Sequence, residues 1–93
     1  MDGKELFLMV EAISNEKNIT KDDVIESLEE ALAVATKKRN NIEVRVEVDR
    51  HTGEFNTFRR WLVIEDGEKF VDDELLINEK DILNVISGVS NNG

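Results

Sequence analysis

The hydrophobic repeat of this sequence changes after Asn41, from the spacing of three and four residues that is typical of helices to the spacing of two that is typical of strands. Two amphipathic segments precede the change, and a strand and a turn signal follow it. The pattern predicts an α+β fold, in which two N-terminal helices pack on an antiparallel β-hairpin or small three-stranded sheet and a short C-terminal helix follows. Because 93 residues suffice for only one core, we expect residues 1–93 to form a single domain.

The first helix is predicted over residues 4–13, where apolar side chains recur on one face at Leu6, Met9, Val10 and Ile13. Burial of this face in the core is the simpler interpretation. The same face, widened by Phe7, is also of the kind that receives a partner helix. Residues 14–18 are turn-forming, and we expect a loop there.

The second helix has a clear start signal, because Thr20 can cap it and Asp23 follows three residues later. Its apolar face is expected to contain Val24, Ile25, Leu28, Ala31, Leu32 and Ala35. Lys37, Lys38 and Arg39 form the last turn, where positive charge complements the helix dipole. Asn40 and Asn41 are a plausible left-handed stop.

An alternating strand and a glycine turn predict the hairpin. Over residues 42–48 the apolar side chains share one face: Ile42, Val44, Val46 and Val48. Gly53 can adopt a positive φ in the turn that follows, so an antiparallel strand is expected to return over residues 55–64. Both faces of that strand are partly apolar, with Trp61 and Val63 on one and Phe58, Leu62 and Ile64 on the other.

The last third of the sequence is acidic and predicts a short strand or edge segment after Gly67. Asp81 is the expected N-cap of a final short helix with an apolar side of Ile82, Leu83, Val85 and Ile86. Ser87 and Gly88 are expected to be frayed coil, as are residues 91–93.

The net charge of −9 and pI near 4.5 argue against general affinity for nucleic acid. The charge is unevenly distributed, however, because residues 37–60 carry a net +3 between two flanking regions of −6 each. Cysteine is absent, which excludes disulfides and fits a reducing compartment. No apolar run approaches the roughly 18 residues of a membrane span. These features predict a cytoplasmic protein without a membrane partner.

The sequence offers few groups for catalysis, so we expect no enzyme activity, cofactor, metal or small-molecule substrate. His51 is the only histidine, lies in the predicted turn and is expected to be solvated. The serines have no partner histidine in a credible element. Asp72, Asp73 and Glu74 could hold a hard divalent cation, but three consecutive acids on an extended segment point to alternating sides, and a solvated acidic run is the simpler interpretation.

The candidate partner-binding residues are the basic groups of the middle segment and an adjacent aromatic residue: Lys37, Lys38, Arg39, Arg59, Arg60 and Trp61. Alternation along a strand places Arg59 on the face of Trp61 and Arg60 on the other. On one interpretation Lys37, Lys38 and Arg39, which we call the helix-end group, only complement the dipole of the second helix. The two strand arginines then pair with Glu43, Glu47 or Asp49. On the other, they form an electropositive patch for an acidic protein segment or nucleic acid.

Five segments in unbroken order resemble the amino-terminal domain of the bacterial transcription factor family NusA. They are VEAISNEK at 10–17, EALAVATKKR at 30–39, VDR at 48–50, TGEF at 52–55 and TFRRWLV at 57–63. The resemblance covers residues 4–65, whereas residues 69–93 match the family pattern only loosely.

The resemblance implies a module that docks on the β-subunit flap of RNA polymerase near the RNA exit channel and modulates pausing, termination and antitermination. It also implies that the RNA-binding S1 and KH modules of the family lie outside this chain. The basic candidates match family positions and are expected to face polymerase or the nascent RNA hairpin. Two alternatives remain: a direct RNA-binding domain that uses residues 37–60 and stacking on Trp61, and a small metal-dependent enzyme built on the region of Asp72.

Overall fold

A computed structural model describes residues 2–41, 43–63, 67–72 and 78–91, with the side chains of all these except 59–63 and 67–72. The elements in chain order are α1 (Gly3–Lys17), α2 (Lys21–Asn40), β1 (Val44–Val48), β2 (Phe55–Val63), β3 (Gly67–Asp72) and α3 (Glu79–Asn91). The three strands form one antiparallel sheet in the order β1-β2-β3. The predicted α+β fold is confirmed, with the three-stranded form of the sheet.

Helix α1 is longer than the sequence predicted. Asp2 caps its start by accepting a hydrogen bond from the backbone N–H of Glu5 at 2.8 Å. The loop expected at residues 14–18 was wrong, because the helix continues to Lys17 and only Asn18 leaves it, in the left-handed conformation. The buried Ser14 hydroxyl donates to the carbonyl of Ile19 at 2.5 Å, so this turn-forming residue fastens the next segment instead of ending the helix.

Helix α2 has both predicted ends. The Thr20 hydroxyl accepts a hydrogen bond from the backbone N–H of Asp23 at 3.0 Å, which satisfies one of the free donors at the helix start. At the other end, Asn41 adopts the left-handed conformation and its N–H donates to the carbonyl of Lys37 at 2.7 Å.

The hairpin formed by β1 and β2 is confirmed, with Val48 opposite Phe55 and Gly53 at a φ of 75° in the turn. Along β1, Val46 and Val48 are buried, whereas Arg45 and Glu47, which point to the other face, are exposed. This is the alternation that the sequence predicted. Ile42 and Ile64, the predicted outer ends of the two strands, lie outside the described residues. Strand β3 confirms the short strand expected after Gly67.

The start and end of α3 differ from the prediction. Asp81 does not cap the helix, because the Asn78 side chain accepts a hydrogen bond from the backbone N–H of Lys80 at 2.9 Å and Asp81 already lies in the first turn. The coil expected at residues 87–88 was also wrong, since the helix continues to Asn91. Its apolar side chains pack on the core at Ile82, Val85, Ile86 and Val89, and tertiary packing of this kind outweighs the weak helix propensity of one glycine.

The core lies where α1, α2, β1 and α3 meet. Its buried members are Leu6, Val10, Ile13, Val24, Ile25, Leu28, Val48 and Ile86. Most of the apolar face predicted for α1 is therefore buried, although Met9 is 39% exposed. Among the described residues, no helix has the length and apolar character that crossing a membrane requires.

Candidate partner-binding surfaces

Two of the three basic residues that end α2 already have acidic partners. Lys37 forms an ion pair with Glu43, which lies just before β1, and both side chains are about half exposed. Water screens such a pair, so it contributes little to stability. Lys38 is exposed and forms no ion pair with any residue that the structure describes. Within the helix-end group, Lys38 is the residue whose charge is most open to a partner.

Arg39 joins the end of α2 to the first turn of α3. Its Nε lies 2.7 Å from Oδ2 of Asp81 and its Nη2 lies 2.8 Å from Oδ1, which is a bidentate contact. The Asp81 side chain is only 11% exposed, whereas that of Arg39 is 47% exposed. The hydrogen bond from Arg39 holds the pKa of Asp81 below its usual range, and the same bond raises the pKa of Arg39. Arg39 thus has a structural role in the domain.

Replacement of Asp81 by asparagine is expected to lower the melting temperature by a few degrees near neutral pH. The pKa of Asp81 is lower in the folded chain than its ordinary value of 3.8, so the ion pair stabilises fully above that value and is lost as pH falls below it. The difference in melting temperature between wild type and Asp81→Asn should therefore be constant at higher pH and shrink below about pH 3.8.

Asp23→Asn is the matched control for that measurement. Asp23 is also an acid in the first turn of a helix, so it shares the helix-dipole effect, but its side chain is exposed and has no basic partner among the described residues. If Asp81→Asn were no more destabilising than Asp23→Asn at neutral pH, the Arg39 contact would have no stabilising role.

The remaining three candidates lie in the central strand of the sheet. Arg59 is paired with Val44 of β1, while Arg60 and Trp61 are paired with residues of β3. Their side chains lie outside the part of the structure that is described. Glu47, one of the predicted acidic partners, forms an ion pair with Arg45 at 3.3 Å. The binding role of Arg59, Arg60 and Trp61 remains a prediction.

The hairpin turn is organised by Asp49 and leaves His51 exposed, as expected for a solvated turn residue. The Asp49 carboxylate accepts backbone hydrogen bonds from His51 at 2.7 Å and Thr52 at 3.2 Å. These donors, His51 first, hold the pKa of Asp49 below its usual range. His51 therefore lies in a turn that is held by hydrogen bonds to Asp49.

The described part of the chain contains no group of three or more histidine, cysteine, aspartate or glutamate side chains placed to hold a metal ion. The acidic run of Asp72, Asp73 and Glu74, which is the alternative metal site, lies at the edge of the described residues. Asp73 and Glu74 lie outside the described residues, as does the side chain of Asp72.

A second candidate surface is a groove between α1, the start of α2 and the hairpin turn, which we call the α1–turn groove. Its volume is about 570 Å³. Its apolar part is formed by Phe7, Leu8, Val10 and Ile25, and the other lining residues are Lys4, Glu11, Lys21, Asp22, Arg50, His51 and Thr52. The sequence offered the Phe7 side of α1 as a contact face only as the alternative to burial in the core. The residues of α2 and the turn join this side only in three dimensions.

Arg50 holds the hairpin turn against α2. Its Nη1 donates to the carbonyl of Val48 at 3.0 Å and to Oε2 of Glu29 at 3.3 Å. Its Nε lies 3.5 Å from a carboxylate oxygen of Asp22. Glu29 also accepts a hydrogen bond from the backbone N–H of Val48 at 2.8 Å, so one carboxylate fixes both the end of β1 and the turn beyond it.

The start of α1 lies directly against the same turn. A Cβ atom added to Gly53 would lie 2.7 Å from Cα of Gly3 and 2.5 Å from its carbonyl oxygen, closer than such atoms can approach. Because Gly3 and Gly53 have no Cβ, their backbones can touch. This contact fixes one end of the α1–turn groove.

Together, the fold and these surfaces define a small α+β domain whose exposed charged and apolar groups suit contact with another macromolecule. The model of the NusA N-terminal domain family matches residues 5–89, and the chain belongs to this family. The match extends well past residue 65, so the last third, which matches the family pattern loosely by motif, is part of the same family domain.

The chain is 30% identical over 69 residues to a transcription termination/antitermination protein NusA of Rickettsia prowazekii, and 29% identical over 69 residues to that of Rickettsia conorii. These alignments cover 72% of this chain and 14% of each relative. A solution structure of the N-terminal domain of NusA from B. subtilis superposes with a TM-score of 0.65 at 23% identity. The superposition covers 95% of this chain and 91% of the B. subtilis chain, and the two chains share the fold.

Proposed function

We propose that this chain is an RNA-polymerase-binding module that acts in transcription termination and antitermination. The observation that carries the proposal is the family match over residues 5–89, together with the names of the Rickettsia relatives. We further propose that residues 1–93 act as one domain in the cytoplasm, without catalysis, and that RNA-holding S1 and KH modules belong to the rest of such proteins.

The finer proposal is that the domain docks on the β-subunit flap near the RNA exit channel. We propose that the contact with polymerase or the nascent RNA hairpin lies in residues 37–60. The net charge of +3 over this segment supports the proposal, because a basic segment on an acidic body attracts negative groups. Lys38 supports it further, since its side chain is exposed and free of described ion pairs.

Direct binding of RNA is the second candidate function, and the same basic segment favours it. The net charge of −9 opposes it, because the body of the domain repels phosphates. Titration of single-stranded RNA into the chain at low salt distinguishes the two. Affinity that falls steeply as salt increases would support RNA binding, whereas undetectable binding at low salt would exclude it.

The proposed function is tested by adding the chain to core RNA polymerase and measuring both complex formation and transcription through an intrinsic terminator. We expect a complex and an altered fraction of terminated transcripts. A chain that neither binds polymerase nor changes pausing or termination would contradict the proposal.

Within that assay, Lys38→Glu is expected to weaken polymerase binding or the effect on pausing by about threefold or more, because it reverses an exposed charge in the basic segment. Lys80→Glu is the matched control, since it makes the same charge change on an exposed residue of α3 outside this segment. Equal effects of the two changes would show that only total charge matters, and that the basic segment has no special role.

A further inference from the structure

The outer face of α2 is exposed along a row of side chains spaced at four residues. The helix packs on α1, β1 and α3, and its buried side chains belong to other faces. Glu30, Val34 and Lys38 are all exposed, and we call this row the outer ridge of α2. Val34 is 50% exposed, although valine is among the residues that proteins most often bury. The outer ridge therefore presents an apolar side chain between two charged ones.

The two charges of the outer ridge have opposite signs. Neither Glu30 nor Lys38 forms an ion pair with any residue that the structure describes. Each lies roughly 6 Å from Val34 along the helix axis, so the two charges are too far apart to pair with each other. Both are therefore available to another molecule.

A second copy of the outer ridge has the complementary order of charges when the two helices run antiparallel. A twofold axis at Val34 places Glu30 of each copy beside Lys38 of the other, because both residues lie four positions from Val34. The two valines then meet at the axis and cover each other. Rows of residues four apart are the ridges that interdigitate in the commonest class of helix packing, so the two outer ridges can align along their length.

Other arrangements of the outer ridge are less favourable. A parallel pair of helices would place like charges side by side, which opposes association. Nucleic acid is a poor occupant, because Glu30 and the exposed acids Asp23 and Glu26 of the same helix repel phosphates. The order of charges thus favours a second copy of this chain.

We propose that two copies of this chain associate through the outer ridges of α2, with the helices antiparallel and centred on Val34. Each copy carries a net charge of −9, so the copies repel each other at long range. Interfaces that bury less than about 1,200 Å² are typical of weak and transient complexes. The dimer is therefore expected only at high protein concentration.

The dimer covers Lys38, which the proposed function assigns to the contact with polymerase or the nascent RNA hairpin. One side chain cannot serve both contacts at once, so an excess of polymerase should dissociate the dimer. This consequence rests on the proposed function, whereas the dimer itself does not. A dimer that persists in the polymerase complex would overturn the consequence.

Charge reversal tests the pairing, with self-association of the full chain measured by sedimentation equilibrium over a range of concentrations. Glu30→Lys brings two lysines together at each end of the contact, and Lys38→Glu brings two glutamates together. Each variant alone should associate at least about tenfold more weakly than wild type. An equal mixture of the two should associate at least as tightly as wild type, because each lysine then meets a glutamate. The summed charge of the mixed pair equals that of two wild-type chains, so this rescue reports the contact itself.

Replacement of Val34 by aspartate tests the centre of the contact, because it places two like charges at the twofold axis. Leu83→Asp is the matched control, since Leu83 is 49% exposed on α3 and makes the same change of net charge away from the outer ridge. Val34→Asp should abolish self-association and Leu83→Asp should change it little, while melting curves confirm that both variants fold. Equal losses would show that net charge alone governs association, which would overturn the outer ridge as the contact.

These measurements can contradict the proposal without reference to polymerase. Wild type that remains monomeric at every concentration would overturn it. So would single charge variants that associate as well as wild type, or a mixture that does not restore association. In each case the proposed function is unaffected, because none of these measurements depends on it.

Discussion

Replacement of Leu28 by alanine is expected to lower the free energy of unfolding by about 2–5 kcal/mol. Leu28 is 1% exposed and belongs to the core in which α1, α2, β1 and α3 meet, so truncation removes contacts with several elements and leaves a cavity. A small domain typically has a total stability of about 5–15 kcal/mol. The variant should therefore unfold at much lower urea concentration, with a slope similar to that of wild type.

Leu83→Ala is the control for this result, because Leu83 is the same residue type on α3 and is 49% exposed. Its effect should stay within about 0.5 kcal/mol of wild type. Similar losses from the two substitutions would contradict the placement of Leu28 in the core.

Replacement of Gly53 by alanine is expected to destabilise the chain by about 2–4 kcal/mol. An alanine at a φ of 75° is strained, and its Cβ would overlap the backbone of Gly3 at the start of α1. Neither backbone can move without separating α1 from the hairpin turn. We expect this variant to lose stability in thermal melts and also to change the environment of the α1–turn groove.

Gly88→Ala gives the opposite expectation and serves as the control. Gly88 lies inside α3, and a Cβ there would meet no atom within 4 Å. Alanine should therefore stabilise the helix by about 0.5–1 kcal/mol. If Gly53→Ala were as well tolerated as Gly88→Ala, the close approach of the two backbones would not exist in solution.

The parts of the fold that sequence could predict are those encoded by neighbouring residues. Thr20 and Asn41 define the ends of α2 through hydrogen bonds that span no more than four residues. Gly53 defines the hairpin through its own φ, and the alternation along β1 reflects burial on one face of the sheet. These signals predicted the helices, the hairpin and the order of the elements.

The failures came from contacts that no local sequence signal marks. Asp81 resembles a cap in sequence, but its partner Arg39 lies 42 positions earlier. The turn-forming composition after Ile13 predicted a loop because no local pattern shows that Ser14 bonds to Ile19. For the same reason, the sequence suggested α1 as a contact face but could not show that Lys21 and Arg50 complete its groove.

The charge pattern identified the basic segment, but the structure divides its helix-end group into residues with different roles. Arg39 stabilises the domain through Asp81, Lys37 pairs with Glu43, and Lys38 is the one of the three without an ion pair to a described residue. Reversal of all the basic residues at once would therefore mix loss of the Arg39–Asp81 contact with loss of binding. Lys38→Glu breaks no described ion pair, and a melting curve of the variant measures the smaller cost of a negative charge at the end of α2.

Docking on the flap is tested most directly by titration of the β-flap segment of RNA polymerase into the isotope-labelled chain, with the backbone amide signals followed by NMR. We expect saturable shifts of a contiguous set of amides within the basic segment of residues 37–60, with Lys38 among them. Amide signals that stay unmoved at a large excess of the flap segment would contradict docking on the flap.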